Sequence, residues 1–257
     1  MQNYYFCVIM KRVVPKIIVS LILLTGLLRP AAAQDSLAVR KGETFRWQQL
    51  ITPTVLMTAG GTASVSPWFD RNVDGPVSEW AGQLRGDDPL FIEGVLQYVP
   101  SAMHLFLGLG VPAAHDFKER FTMTATATAA MLAMVYGLKY ATRTLRPDGS
   151  RANSFPSGHT AMAFLGAEMV RTEYGNAYGA AAYAIAAATG FLRVYNGRHW
   201  VSDVVAGAGA GILSARIGYW LLPWERRLFG WDVSPVQAAV LPYGAAGTYG
   251  MTLTMHF

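Results

Sequence analysis

The sequence is poor in charge, in cysteine and in repetition. Only 14% of its 257 residues are charged, against roughly 25% in a typical soluble domain. With 52% hydrophobic residues, the chain is too apolar to stay disordered. Its one cysteine, Cys7, excludes a disulfide scaffold. No dense Lys/Arg run is present, so the net charge of +5 does not point to nucleic acid. There is no internal repeat and no low-complexity tract. What remains is an all-α helical chain, either set in a membrane or exported with a large apolar core.

Residues 11–33 read as a secretory signal. Lys11, Arg12 and Lys16 form a positive start, Ile17 to Leu28 an apolar run, and Ala31-Ala32-Ala33 a small-residue cleavage pattern. Gln34 would then be the first mature residue. Met10, directly before Lys11, is an alternative start that would leave residues 1–9, with Cys7, untranslated. The competing reading is an uncleaved first anchor, although the run is short for a membrane span.

Residues 34–90 form an N-terminal segment expected on the periplasmic side. Within it, 50–66 reads as a re-entrant or surface helix and 70–88 as a polar loop around Trp80. Residues 91–235 are the expected helical domain, with five apolar segments at 91–111, 121–146, 157–171, 178–193 and 199–222. Gly207, Gly209 and Gly211 suit close helix packing. From residue 236 the period changes to two. Met251, Leu253, Met255 and Phe257 alternate with polar residues, and 236–257 reads as a hairpin about Gly244 to Gly247. A terminal Phe also ends outer-membrane barrel strands, but one hairpin cannot close a barrel.

Chemistry-bearing residues gather between 139 and 203. Lys139 and Arg146 are seven apart, nearly two helical turns, which places both on one face of the second helix, with Pro147 beyond. Ser154-Phe155-Pro156-Ser157-Gly158-His159 reads as a turn feeding a helix. Ser157 is the N-cap, Gly158 allows close approach, and the first amides form an anion site beside His159. Arg193 ends the fourth helix. His199 and Asp203 are four apart on the fifth, where a carboxylate holds an imidazole in one tautomer and makes it a nucleophile. Each piece has a bland reading: a snorkelling pair, plain capping, a helix-start ion pair. Together, helix ends on one side of an up-down bundle would deliver a phosphate-binding pocket. Arg143, Arg151 and Arg198 lie near the same loops, either as surface charges or as a lure for an anion.

The residues Lys139 to Pro147, Pro156-Ser157-Gly158-His159, and Arg193 with His199 and Asp203 resemble the three-part signature of the type 2 phosphatidic acid phosphatase superfamily. One position departs: Leu192 stands where the family usually has Ser, and Tyr195 or Asn196 are candidates to replace it. The resemblance implies a five- to six-helix bundle and a mechanism without metal or cofactor. His199 would attack phosphorus, Asp203 would orient it, and His159 would serve as acid and then base. Lys139, Arg146, Arg193, the Ser157 hydroxyl and the Gly158 amide would hold the phosphoryl oxygens.

The implied substrate is a lipid phosphate or pyrophosphate, such as a polyprenyl pyrophosphate, phosphatidylglycerol phosphate, phosphatidate or lipid A. The expected place is the inner membrane with the site facing the periplasm. With Gln34 outside and 91–111 counted as the first span, Lys118, Arg120, Arg226 and Arg227 fall inside. The alternatives are a soluble periplasmic acid phosphatase of the same superfamily, a vanadium haloperoxidase, and a non-catalytic lipid binder. No nucleic-acid partner is implied, and no feature specifies an oligomeric state.

Overall fold

A computed structural model describes residues 44–86, 89–90 and 92–231, and the backbone of 237–245 and 248–256. The signal-like segment and its cleavage site lie outside the described residues. The main helices are α1 (Ile51–Ser64), α2 (Gly75–Arg85), α3 (Val99–Phe106), α4 (Phe117–Thr142), α5 (Gly158–Tyr174), α6 (Asn176–Tyr195) and α7 (Val201–Leu228). Two antiparallel strands follow, β1 (Gln237–Ala245) and β2 (Thr248–His256), in register from Gln237 opposite His256 to Ala245 opposite Thr248. Strand pairing is thus present over 237–245 and 248–256, within the expected 236–257 hairpin, and residues 236, 246–247 and 257 lie outside the described residues. The chain divides into two compact units, Met1–Leu222 and Pro223–Phe257.

Helix α5 is the axis of the first unit, and its sequence explains why. Ala161, Leu165 and Met169 recur every four residues and share a face. They meet Met123, Ala127, Met131 and Val135 of α4 together with Ala210, Ala215, Tyr219 and Leu222 of α7. Ala163, Ala167, Val170 and Tyr174 face elsewhere, toward Met103 of α3 and Tyr178, Ala182 and Ala186 of α6. A helix with two apolar faces is buried on both. Small residues set the spacing. A Cβ on Gly211 would lie 2.2 Å from the Ala161 carbonyl oxygen, and one on Gly207 would lie 2.5 Å from that of Ser157. The α5–α7 seam is thus a backbone-to-backbone contact, as expected of the glycines in α7.

Three expectations need correction. The loop expected over 70–88 is helical over 70–85, and residues 87–88 lie outside the described residues. Asp70–Asp74 make a wide π-type turn that runs into α2, with a proline in the first turn where its missing N–H costs nothing. Its anchor is Asp74, buried and accepting from the Ser202 N–H at 3.2 Å and hydroxyl at 2.7 Å. Residues 91–111 are not one helix. A short turn, Glu93–Leu96, stops at Gln97, and α3 starts anew at Val99 with Pro100 in its first turn. The second helix stops at Thr142, capped by Arg143 in the left-handed region (φ 50°), so Arg146 stands in the following loop rather than on the helix.

The 50–66 stretch is a helix, as expected, and it packs on α7. A Cβ on Gly60 would sit 2.5 Å from the Ala206 nitrogen. Among the described helices, α4 and α7 are long and apolar enough to cross a membrane. Most of α7 is buried, whereas α4 leaves Phe121, Leu132, Tyr136 and Tyr140 exposed.

Candidate active site

The end of α4, the start of α5, the end of α6 and the start of α7 meet on one side, and the loops between them are tied together. The Ser157 N–H donates to the Asp203 carbonyl at 3.0 Å, and the Asp148 N–H to that of Gly197 at 3.1 Å. Arg198 pairs with the Asp148 carboxylate at 3.0 Å. His199 and Asp203 are both buried, with Nδ1 to Oδ2 at 3.4 Å. Asp203 Oδ2 also accepts the Trp200 N–H at 2.9 Å and the Ser154 hydroxyl. Asp203 engages the Nδ1 side of the ring, which leaves Nε2 as the nitrogen able to attack.

The cations arrive from different elements. Lys139 donates to the carbonyl oxygens of Asn153 (2.5 Å) and Ser154 (3.0 Å), so one of its three protons stays uncommitted. Buried Arg193 pairs with buried Glu93 at 3.1 Å. The Nε atoms of Arg193 and Arg146 are buried without a hydrogen-bond partner among the described residues. Buried donors normally find acceptors, and a guanidinium N–H left without one is what an incoming anion satisfies.

Ser157 caps α5, accepting from the Thr160 hydroxyl at 2.9 Å. Gly158 and His159 open the first turn, where N–H groups have no carbonyl a turn earlier to bond. A Cβ on Gly158 would meet only Val135, at 3.6 Å, so this side of the turn is open.

The electrostatics around the two histidines are one-sided. Burial lowers the His159 ring to about 3, and the charges of Arg193, His199, Arg146 and Lys139 press it the same way. Burial, then the cations of Arg193, Lys139 and Arg146, hold His199 well below its ordinary value. Burial lowers Arg193 to about 10, opposed by Glu93. Both histidines are therefore neutral near pH 7 while the cations stay charged. A dianion entering such a site would offset the pressure of these cations on His159, though not that of burial.

All eight sequence-derived site residues, Lys139, Arg146, Ser157, Gly158, His159, Arg193, His199 and Asp203, lie at this junction. Asn196 does not replace the missing Ser. Its amide is spent on Leu90, accepting from the N–H at 2.9 Å and donating to the carbonyl at 2.6 Å. Tyr195 stacks on Phe191, with ring centroids 6.2 Å apart. Of the outer arginines, Arg198 is paired with Asp148, while Arg143 and Arg151 are exposed.

Two participants escaped the sequence reading. Ser154 looked like a loop residue. Glu93, the acid inside an apolar run, was a signal, because a buried carboxylate needs a cation. Among the described residues no His/Cys/Asp/Glu group has the arrangement of a metal site.

Residues 121–227 match the family model described as the PAP2 superfamily. Over 155 residues the chain is 40% identical to Lipid A 1-phosphatase of Porphyromonas gingivalis, covering 58% of this chain and 35% of that protein. The chain thus matches about a third of that relative's length. The crystal structure of Aquifex aeolicus LpxE aligns with 24% identity over 55% of this chain and 92% of that one, with a TM-score of 0.43.

Proposed function

We propose that the protein is a phosphatase that hydrolyses a phosphomonoester or pyrophosphate of a lipid through a phosphohistidine, a reading supported by the match of residues 121–227 to the PAP2 superfamily model. The observation that carries this reading is the pairing of one oriented imidazole, His199 against Asp203, with buried unpaired N–H groups of Arg193 and Arg146. His199 Nε2 attacks phosphorus and the bond to the leaving oxygen breaks. His159, protonated once the dianion is bound, gives that oxygen its proton. Water then attacks the phosphohistidine, His159 takes the water's proton, and phosphate leaves with His199 restored. Arg193, Arg146, Lys139 and the first turn of α5 stabilise the charge on the transferring group, the largest contribution expected in such a site.

A lipid substrate is supported by the exposed apolar face of α4 beside the site and by the 40% identical stretch shared with a protein named Lipid A 1-phosphatase. The proposed place is the inner membrane with the site on the periplasmic side, supported by the signal-like pattern at 11–33. A phosphate-release panel over lipid and soluble phosphates tests the substrate class, and preference for soluble monoesters would overturn the lipid assignment. Labelling of Ser150→Cys, on the exposed 146–151 loop, by an impermeant maleimide in intact spheroplasts tests the side. Protection there would place the site inside.

One observation favours a soluble relative as the second reading: only two described helices are apolar and long enough to span. Release from membranes by alkaline carbonate would support it.

A further inference from the structure

We propose that Ser154 is a positioning residue for the nucleophile, and this rests on the phosphatase reading above. Ser154 is fully buried, and its hydroxyl has two neighbours with chemical meaning. It donates to Asp203 Oδ2, and it lies 3.4 Å from His199 Nδ1. A hydroxyl has one proton, so donating to Asp203 leaves its lone pairs toward the ring N–H. The imidazole Nδ1–H thus faces Asp203 Oδ2 and Ser154 Oγ, and the Ser154 backbone also engages the ring. Both side-chain oxygens favour the tautomer that leaves Nε2 unprotonated for attack.

The residue is held as firmly as the groups it serves. Its N–H donates to the Thr144 carbonyl at 2.8 Å and its carbonyl accepts from Lys139 at 3.0 Å. Ser154 therefore links a phosphate-binding cation on α4 to the carboxylate and imidazole at the start of α7. The other Asp203 oxygen, Oδ1, is buried without a partner among the described residues. The carboxylate then depends on Oδ2 for its hydrogen bonds, where Ser154, Trp200 and His199 converge. Lys139 and Arg146 face Asp203 as cations, and Asp74 faces it as a like charge across Ser202. A neutral donor that favours the ionised carboxylate adds what those distant charges do not: direction.

The test compares Ser154→Ala, Ser154→Cys and Ser154→Thr in the full chain, with His199→Ala as reference, on the phosphate ester turned over fastest by the parent. Loss of one hydrogen bond to a charged group predicts a roughly 10- to 100-fold fall in kcat for Ser154→Ala. KM should be little changed, Cys should be intermediate, and Thr should restore activity. The acid limb of kcat/KM should move to higher pH in Ser154→Ala, because a carboxylate that has lost a donor protonates sooner.

A second readout needs no turnover. Nitrogen-15 NMR of the His199 ring should show one Nδ1-protonated tautomer in the parent and a mixture in Ser154→Ala. A parent-like kcat, pH profile and tautomer in Ser154→Ala would overturn the proposal while leaving the phosphatase reading intact. Substantial turnover in His199→Ala would overturn the phosphohistidine reading on which the proposal rests, and absence of phosphate release by the parent from every ester would overturn the phosphatase reading itself.

Discussion

At the far end of the helices from the site, Glu173 has both carboxylate oxygens engaged. Oε1 accepts the His115 N–H at 2.8 Å, and Oε2 meets the His115 ring at 2.8 Å and the Tyr219 hydroxyl at 3.2 Å. Beside it, Arg120 donates to the His104 carbonyl at 3.1 Å and contacts the Tyr174 hydroxyl. At the near end the same residue types are left incomplete. Arg193, Arg146 and Lys139 bring three cations, and the Nε atoms of Arg193 and Arg146 have no partner among the described residues. Buried polar groups cost the fold unless satisfied. At the far end the carboxylate of Glu173 is satisfied by the protein, and His104 Nε2 is left without a partner among the described residues. At the near end the unpartnered groups include two guanidinium donors, which an arriving anion would satisfy, and that difference separates a structural polar cluster from a working one.

The comparison breaks most sharply at His199. His199→Ala should lower phosphate release by on the order of 10⁴-fold or more, as loss of a nucleophile does, while thermal unfolding stays near that of the parent. Substantial turnover would remove the nucleophile from His199. Next in size is Arg193→Ala. Losing a donor to the transferring phosphoryl group costs on the order of 10²–10³ in kcat. It also strands Glu93, so the same variant should lose stability. Orthovanadate, which offers the pocket an anion, should inhibit the parent and raise its melting temperature, and do much less to Arg193→Ala.

Glu173→Gln tests the far end and should show the opposite pattern. Removing one partner of a buried ionic cluster costs roughly 3 kcal/mol or more of stability. Turnover per folded molecule should stay near the parent value, as read by activity normalised to denaturant titrations. A large kcat defect in folded Glu173→Gln would couple the two ends and spoil the contrast.

The smallest effect is in pH. An unfolded histidine titrates near about 6.5, whereas His159 in the fold is lowered to about 3 and His104 at the far end to about 4, both mainly by burial. Below pH 6.5 the unfolded chain therefore binds more protons than the fold, and stability falls as pH drops from about 6.5 toward those values. His159→Asn should remove part of that slope and leave the shares of His199 and His104. Phosphate or vanadate should flatten the slope more in the parent than in His159→Asn, because an anion relieves His159 and His199 at the site and not His104. Equal flattening in the two proteins would mean that the anion does not act on His159.

The sequence carried the site further than the fold. Spacing alone brought Lys139, His159, Arg193, His199 and Asp203 to one junction, because helix ends in an up-down bundle must meet. It misjudged Arg146, because helix periodicity does not foresee the left-handed stop at Arg143. It misread 70–85 as loop, because the signals for α2 lie far away: buried Asp74 takes hydrogen bonds from Ser202, 128 residues on. The break in 91–111 was marked by Pro100, yet hydropathy outweighed it. Ser154 was invisible for a different reason. A serine in a loop has no pattern, and its meaning appears only when Asp203 and His199 are folded against it.

The most direct test of the central claim is to trap the intermediate. The parent is mixed with a 32P-labelled substrate, quenched in alkali within milliseconds, and the labelled peptide is sequenced by mass spectrometry. The account predicts an alkali-stable, acid-labile phosphohistidine at His199, attached through Nε2. Label on any other residue, or stoichiometric turnover with no protein-bound phosphate, would contradict it.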